Sequence, residues 1–230
     1  MILKSILEKL KDYVFPVFCL NCKKEGGWLC EQCFNKLNLQ GIFDCPVCHK
    51  NTVVGECCFD CKEKSILNSH IAITKYEDNS LIGKVIQTLK YSWAEDVLAV
   101  MEKMIEKFVN NHSELFSSID FVVPVPLHQK RYVERGFNQA ELIARVVAKK
   151  INKPFKDVVV RTRHTRQQAK LNRADRLENL QEAFSVEEKL IGNILIVDDV
   201  FTTGSTIQEC AKALKNAGAD RVFGFSIARG

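Results

Sequence analysis

An α/β fold is predicted for this chain: a mainly parallel sheet flanked by helices, behind a small cysteine-rich N-terminal module. Three observations lead there. Nine of the 10 cysteines in the 230 residues crowd between Cys19 and Cys61. From Ile71 onward, Val- and Ile-rich segments alternate with amphipathic helical ones, the pattern of a parallel sheet covered on both faces. The apolar run Ile194–Val197 meets two aspartates and a small-residue loop, which suits a ligand site at the carboxyl end of a strand.

Composition is that of an ordinary globular chain, with 46% apolar residues and only 5 prolines, which excludes wholesale disorder. A net charge of +5 permits phosphate-rich partners without specifying nucleic acid. No stretch is long and apolar enough to cross a bilayer. At the N-terminus, Ile2, Leu3, Ile6, Leu7, Leu10 and Val14 share a helical face, and Lys4, Glu8, Lys9 and Lys11 interrupt any signal-peptide core. A helix packed on its own protein and a cytoplasmic location are the expectations.

The clustered cysteines form four CxxC pairs: Cys19/Cys22, Cys30/Cys33, Cys45/Cys48 and Cys58/Cys61. A two-residue spacer lets a tight turn aim both thiolates at one ion, and two such turns complete a tetrahedral zinc site. Without an export signal a disulfide framework is the weaker reading, and redox cysteines or an iron–sulfur cluster are weaker still. Chain order suggests two sites, Cys19/Cys22/Cys30/Cys33 and Cys45/Cys48/Cys58/Cys61. Interleaved pairing and the use of Cys57 in place of Cys58 both stay open. Little apolar material surrounds these residues, so structural zinc, one ion or two, is expected to supply much of the folding energy. The module is assigned to residues 1–66 and the α/β domain to 67–230. Cys210 shares a helical face with Ile207, Ala211 and Leu214 and reads as a core residue.

In the larger domain, Ile71–Glu77 reads as a strand, and Asn79 or Ser80 caps a helix over Leu81–Tyr91. A longer helix covers Glu95–Val109, and Asp120–Pro126 is a buried strand ending in prolines. Asn138 and Glu141 fit a capping box for a helix to about Lys150. Val158–Arg163 follows as a strand, then a long polar stretch, the strand Ile194–Asp199, another helix, and a last strand over Arg221–Ala228.

Two like charges at a buried strand end are costly unless something bound there needs them. After Asp198 and Asp199 come Thr202, Thr203, Gly204, Ser205 and Thr206, then a helix. Gly204 permits a tight turn, and hydroxyls, backbone N–H groups and a helix N-terminus can surround a phosphate. Thr206 and Glu209 also fit a capping box, which would explain the hydroxyl but not the paired acids. The loop is no nucleotide P-loop, since the lysine after the glycine is missing, and no dinucleotide fingerprint, which needs three spaced glycines. A phosphorylated sugar with its magnesium ion would suit it.

A second phosphate site would draw on two basic stretches. Pro124–Glu141 carries Lys130, Arg131 and Arg135. Arg161–Arg176 carries Arg161, Arg163, Arg166, Lys170, Arg173 and Arg176 against the single acid Asp175. Arg131, Arg135 and Arg166 are the candidates for neutralising a departing pyrophosphate, and the second stretch is long enough for a lid. His128 and His164 read as surface residues.

Ile194–Thr206 resembles the phosphoribosyl pyrophosphate motif of type I phosphoribosyltransferases. The resemblance implies that Asp198 and Asp199 hold the ribose hydroxyls of a magnesium-bound ligand, while Thr202, Thr203, Gly204, Ser205 and Thr206 take its 5′-phosphate. It also implies the catalytic role of the two acids in any transfer at ribose C1. RYVERGFNQAELIA, TRQQAKLNRADRLENL, the LKY of Leu89–Tyr91 and the CxxC series together resemble the competence protein F (ComF/ComFC) family. Gln167 is a departure, since many relatives carry serine there. That resemblance implies a role in DNA uptake and natural transformation, contact with single-stranded DNA, and a competence helicase as partner. The alternative is an active phosphoribosyltransferase on an unidentified nucleobase or amine acceptor. A purine-synthesis amidotransferase shares such a pocket but needs an N-terminal cysteine that Met1-Ile2-Leu3 does not offer.

Overall fold

The computed structural model describes residues 16–91, 95–161 and 183–230. The N-terminal helix expected over Ile2–Val14, and the lid stretch beyond Arg161 with His164 and Arg166, lie outside them. In chain order the elements are α1 (Glu31–Phe34), β1 (Ser69–Lys75), α2 (Leu81–Tyr91), α3 (Leu98–Asn111), β2 (Phe121–Pro124), α4 (Gln129–Arg135), α5 (Gln139–Lys150), β3 (Val159–Arg161), β4 (Phe184–Val186), β5 (Asn193–Phe201), α6 (Ser205–Asn216) and β6 (Arg221–Arg229).

Four strands form one sheet in the order β1-β6-β5-β2, and every neighbouring pair is parallel. Side chains along β5 alternate between two apolar layers, as the pleat requires. Leu195 and Val197 join the layer built by α2, α3 and α5, whereas Ile194 and Ile196 join the layer under α6; Phe201 also lies in that second layer, so the alternation breaks before the end of the strand. Phe108 of α3 is fully buried, with the rings of Phe116 and Phe225 at 6.4 and 6.0 Å. Truncating it to alanine would cost about 3–5 kcal/mol through lost contacts and the cavity left behind.

Helix α2 begins where expected because the Ser80 hydroxyl accepts the Gly83 N–H at 3.1 Å. Asn138 likewise caps α5, accepting from the Ala140 N–H at 3.1 Å. The Glu141 carboxylate, the other half of the expected box, takes two bonds from Arg145. Three further expectations need correction. The polar segment after Pro126 contains the short helix α4, capped by His128 Nδ1. Strand β3 stands outside the main sheet and pairs antiparallel with β4, so this hairpin helps α6 cover the second face. Strand β5 does not stop at the aspartates but runs on to Phe201, because β6 pairs with it to that point.

The cysteine-rich module is joined to the sheet through its backbone. Ile42 donates to the Ala72 carbonyl at 2.8 Å, Gly41 to Ile73 at 3.1 Å, and His70 donates to Gly55 at 2.8 Å. These bonds cover the outer edge of β1, which would otherwise present unpaired backbone groups. Gly55 is needed there: its φ is +71°, and a Cβ would lie 2.2 Å from the His70 carbonyl oxygen. The connection is pinned further along, where the Gln208 side chain of α6 accepts from Ile66 N and donates to the Ser65 hydroxyl.

Candidate functional site

The eight CxxC sulfurs gather into two groups, Cys19/Cys22/Cys30/Cys33 and Cys45/Cys48/Cys58/Cys61, each with its ligand atoms within 4.8 Å of one another. Pairing therefore follows chain order and is not interleaved. Sulfurs around a tetrahedral zinc stand about 3.8 Å apart, given Zn–S near 2.3 Å. Cys22 and Cys30 at 3.6 Å, and Cys48 and Cys58 at 3.5 Å, fit that geometry. Cys57 turns away, with its thiol 3.5 Å from the Leu67 carbonyl, so Cys58 is the member of the second group. Burial opposes ionisation of Cys19 and Cys45, yet backbone N–H groups of each knuckle outweigh it and bring both thiols down to about 6. In the second group, burial and the Cys58 neighbour push Cys61 up to about 12. Both groups suit structural zinc.

At the carboxyl edge of the sheet, β2 ends at Pro124 opposite Val197, and β5 carries Asp198 and Asp199 past it. Alternation along the strand sends the two carboxyls toward different layers. Asp199 faces the α2/α5 side, where Lys90 from the last turn of α2 meets it at 2.5 Å, with side chains 18% and 7% exposed. Burial works against ionising Asp199, but Lys90, aided by bonds from Asp198 and Gln139, holds its carboxyl below the usual range. Lys90 is correspondingly held above its ordinary value although burial pulls it down. Asp198 sits toward the α6 side near Cys210, and its Oδ1 accepts the Asp199 N–H at 2.8 Å. Burial first, and then the Asp199 charge, push its pKa well above 3.8. The adjacent acids are therefore unlike: one is an ion with its counter-ion, the other a carboxyl that resists losing its proton.

The loop that follows turns at Gly204, whose φ is +73°. A Cβ there would lie 2.5 Å from the Phe201 ring, so the backbone rests directly on that ring. The Thr203 and Ser205 hydroxyls bond to each other at 2.9 Å. Helix α6 starts at Ser205 with Gly204 as its N-cap, so the Thr206/Glu209 capping box is not used. Thr202 is exposed, Thr203 and Thr206 are half-buried, and Ser205 is buried. A helix start offers N–H groups without intrahelical partners and the positive end of a dipole.

Of the basic candidates, Arg135 is drawn into the acid network. It is buried, donates to Gln139 Oε1 at 3.0 Å and to the Tyr91 hydroxyl at 3.3 Å, and stacks over the Tyr91 ring. Arg131 lies half-buried on α4, close enough to Arg161 for the two charges to act on each other. Arg166 is outside the described residues. His128 is a helix cap. Sequence reasoning missed Lys90 and Gln139 as site residues; the LKY at Leu89–Tyr91 was the signal that pointed to the first.

A model of the phosphoribosyl transferase domain matches residues 136–225, a stretch that runs from just before α5, through the paired acids and the Gly204 loop, into β6. The wider chain is similar to competence protein F of Haemophilus influenzae, 28% identical over 94% of this chain and 85% of that protein. It is 29% identical to competence protein ComFC of Streptococcus pneumoniae over 90% of each chain, and 28% identical to DNA utilization protein YhgH of Escherichia coli over 93% of this chain and 97% of that one. The resemblance to the competence protein F (ComF/ComFC) family thus extends over nearly the whole chain. Among the described residues no helix is long and apolar enough to cross a membrane.

Proposed function

We propose that the chain binds phosphoribosyl pyrophosphate with Mg2+ at the carboxyl edge of its sheet, and acts in DNA uptake, handling incoming single-stranded DNA in the cytoplasm. One observation carries the ligand: two adjacent acids stand near the carboxyl end of β5, and a loop seated on Phe201 leads straight into the N-terminus of α6. Asp198 and Asp199 would accept from the ribose hydroxyls, and the hydroxyls and N–H groups of Thr202–Thr206 would hold the 5′-phosphate. Magnesium would balance the diphosphate with oxygen ligands. Arg131 and Arg166 would approach the pyrophosphate, with Arg135 acting from beneath through Gln139. The DNA role is drawn from the names of the relatives, and a competence helicase is the partner it suggests. Residues 1–66 would then serve as a zinc-held module fixed to the domain of 67–230.

Titration calorimetry with Mg2+ and phosphoribosyl pyrophosphate tests the ligand. Saturable uptake by the wild type and none by a double Asp198→Ala, Asp199→Ala variant is expected; equal uptake by both would remove the proposal. Salt-sensitive single-strand binding is the corresponding test for DNA.

A second reading, transfer of the phosphoribosyl group to a nucleobase or amine, is favoured by the phosphoribosyl transferase match. In that reaction the C1–pyrophosphate bond breaks and pyrophosphate leaves with the bonding pair. The acceptor nitrogen bonds to C1 and gives its proton to solvent, and Asp198 and Asp199 favour the cationic ring. Pyrophosphate release with candidate acceptors distinguishes it from binding alone.

A further inference from the structure

Arg229, near the end of β6, is 2% exposed although it is a cation. Its guanidinium donates at 2.7 Å to the Asp44 carbonyl through Nη1 and at 2.7 Å to the Cys45 carbonyl through Nη2, and it lies 3.3 Å from His49 Nδ1. Asp44 and Cys45 begin the knuckle of the second cysteine group. The same guanidinium lies over the Phe201 ring, 4.8 Å from its centroid. The His70 ring packs against Phe201 as well, at 3.8 Å. Phe201 is in turn the ring on which Gly204 sits. A continuous stack thus runs from the second metal group, through one buried guanidinium and one aromatic ring, to the turn of the anion loop.

The first group has no such path among the contacts described. Its neighbours Trp28, Leu29 and Phe34 pack against the apolar layer that includes α3, and Lys107 lies over the Phe34 ring. The two groups are alike in ligands but unlike in what they hold.

We infer that the second cysteine group is a structural part of the anion loop: an ion bound there fixes the Asp44 and Cys45 carbonyls, these fix Arg229, and Arg229 fixes the Phe201 floor beneath Gly204. Arg229 and Phe201 are positioning residues for that loop. The physical basis is preorganisation. A backbone nest binds an anion well only if its N–H groups already point inward, and a loop that must first be ordered loses part of its affinity. A guanidinium spanning two carbonyls is a rigid planar brace, whereas an ammonium is a point charge on a flexible stem and does not hold both in a fixed plane. The role in anion binding rests on the proposed ligand, but the mechanical link does not.

Hydrogen exchange of the ligand-free chain tests the link directly. Cys58→Ser empties the second group, Cys30→Ser empties the first, and Arg229→Lys keeps both groups and the charge while losing the brace. Expected is about tenfold faster exchange across Phe201–Thr206 in Cys58→Ser and Arg229→Lys, with Ile194–Val197 unchanged, as for a local opening. Cys30→Ser leaves that segment at the wild-type rate. Should Cys58→Ser fail to fold, Arg229→Lys with its metal content intact decides the matter. Wild-type exchange at Phe201–Thr206 in Arg229→Lys overturns the inference, and so does equal loosening by Cys30→Ser. Calorimetry with phosphoribosyl pyrophosphate and Mg2+ follows on the same proteins, with about tenfold weaker uptake expected in the two loosened variants. If the wild type takes up no ligand, the ligand proposal fails while the exchange result still judges the brace.

Discussion

Lys90 and Asp199 meet at 2.5 Å at the meeting point of α2 and β5, both largely withdrawn from water. Asp199 is thus supplied with its counter-ion by a residue more than a hundred positions away. Removing one partner strands the other charge, which is far costlier than never having buried the pair. Lys90→Met should lower unfolding stability by about 3 kcal/mol, whereas Lys90→Met with Asp199→Asn should recover at least half of that loss. Urea unfolding of the three proteins checks it, and equal stability of wild type and single variant would speak against a buried pair.

The pH dependence follows from the directions of the shifts. Asp199 is held below its ordinary 3.8, so its contribution is present above that value and is lost as pH falls through the lower folded pKa. Lys90 is raised above 10.5, so its contribution is present below that value and fades as pH climbs through the folded pKa. Asp198 behaves oppositely to Asp199: the folded chain prefers it protonated, so its penalty is absent below 3.8 and grows as pH rises toward its folded pKa. Asp198→Asn should therefore stabilise the ligand-free protein at neutral pH, by about 1 kcal/mol or roughly 2–4 °C in Tm, and abolish ligand uptake. Thermal scans with and without ligand read both effects.

Ligand uptake should release a proton, because a magnesium-bound sugar diphosphate calls for Asp198 in its ionised form. Affinity should then rise with pH through the raised folded pKa of Asp198. Calorimetry in two buffers of different ionisation heat gives the proton count, and identical heats would contradict it.

Metal content should be two ions per chain. Cys57→Ser should keep both, since its thiol bonds to Leu67 rather than joining a group, while Cys58→Ser should retain one. Colorimetric release of zinc from the purified variants measures this. Chelation should open the module, because bound metal supplies its folding free energy.

Gly204→Ala should weaken ligand uptake at least tenfold and cost about 1–2 kcal/mol, since the position needs a left-handed backbone and its Cβ would strike the Phe201 ring. Calorimetry and urea unfolding separate the two losses.

Much of this arrangement was legible in local pattern. Helix α2 matches its expected span because Ser80 caps an uninterrupted amphipathic run. The four CxxC pairs follow from spacing and the acid–glycine loop announces itself by composition, whereas the grouping in chain order and the choice of Cys58 over Cys57 needed the fold. What escaped depended on distant partners. Helix α4 has seven mostly polar residues and no apolar period to betray it. The far end of β5 is strand only because β6 runs beside it, although Asp198 and Asp199 are poor strand formers. Lys90 looks like the polar face of an ordinary helix until the fold sets Asp199 in front of it.

The opposed headings of Asp198 and Asp199 tie the two sides of the sheet to a common task. A ligand that engages both acids must feel how each apolar layer is packed, so repacking on either side is free to drift only within what the shared grip tolerates. Sequence change beneath α6 and sequence change beneath α5 should therefore be mutually constrained, even where no side chain of one touches the other.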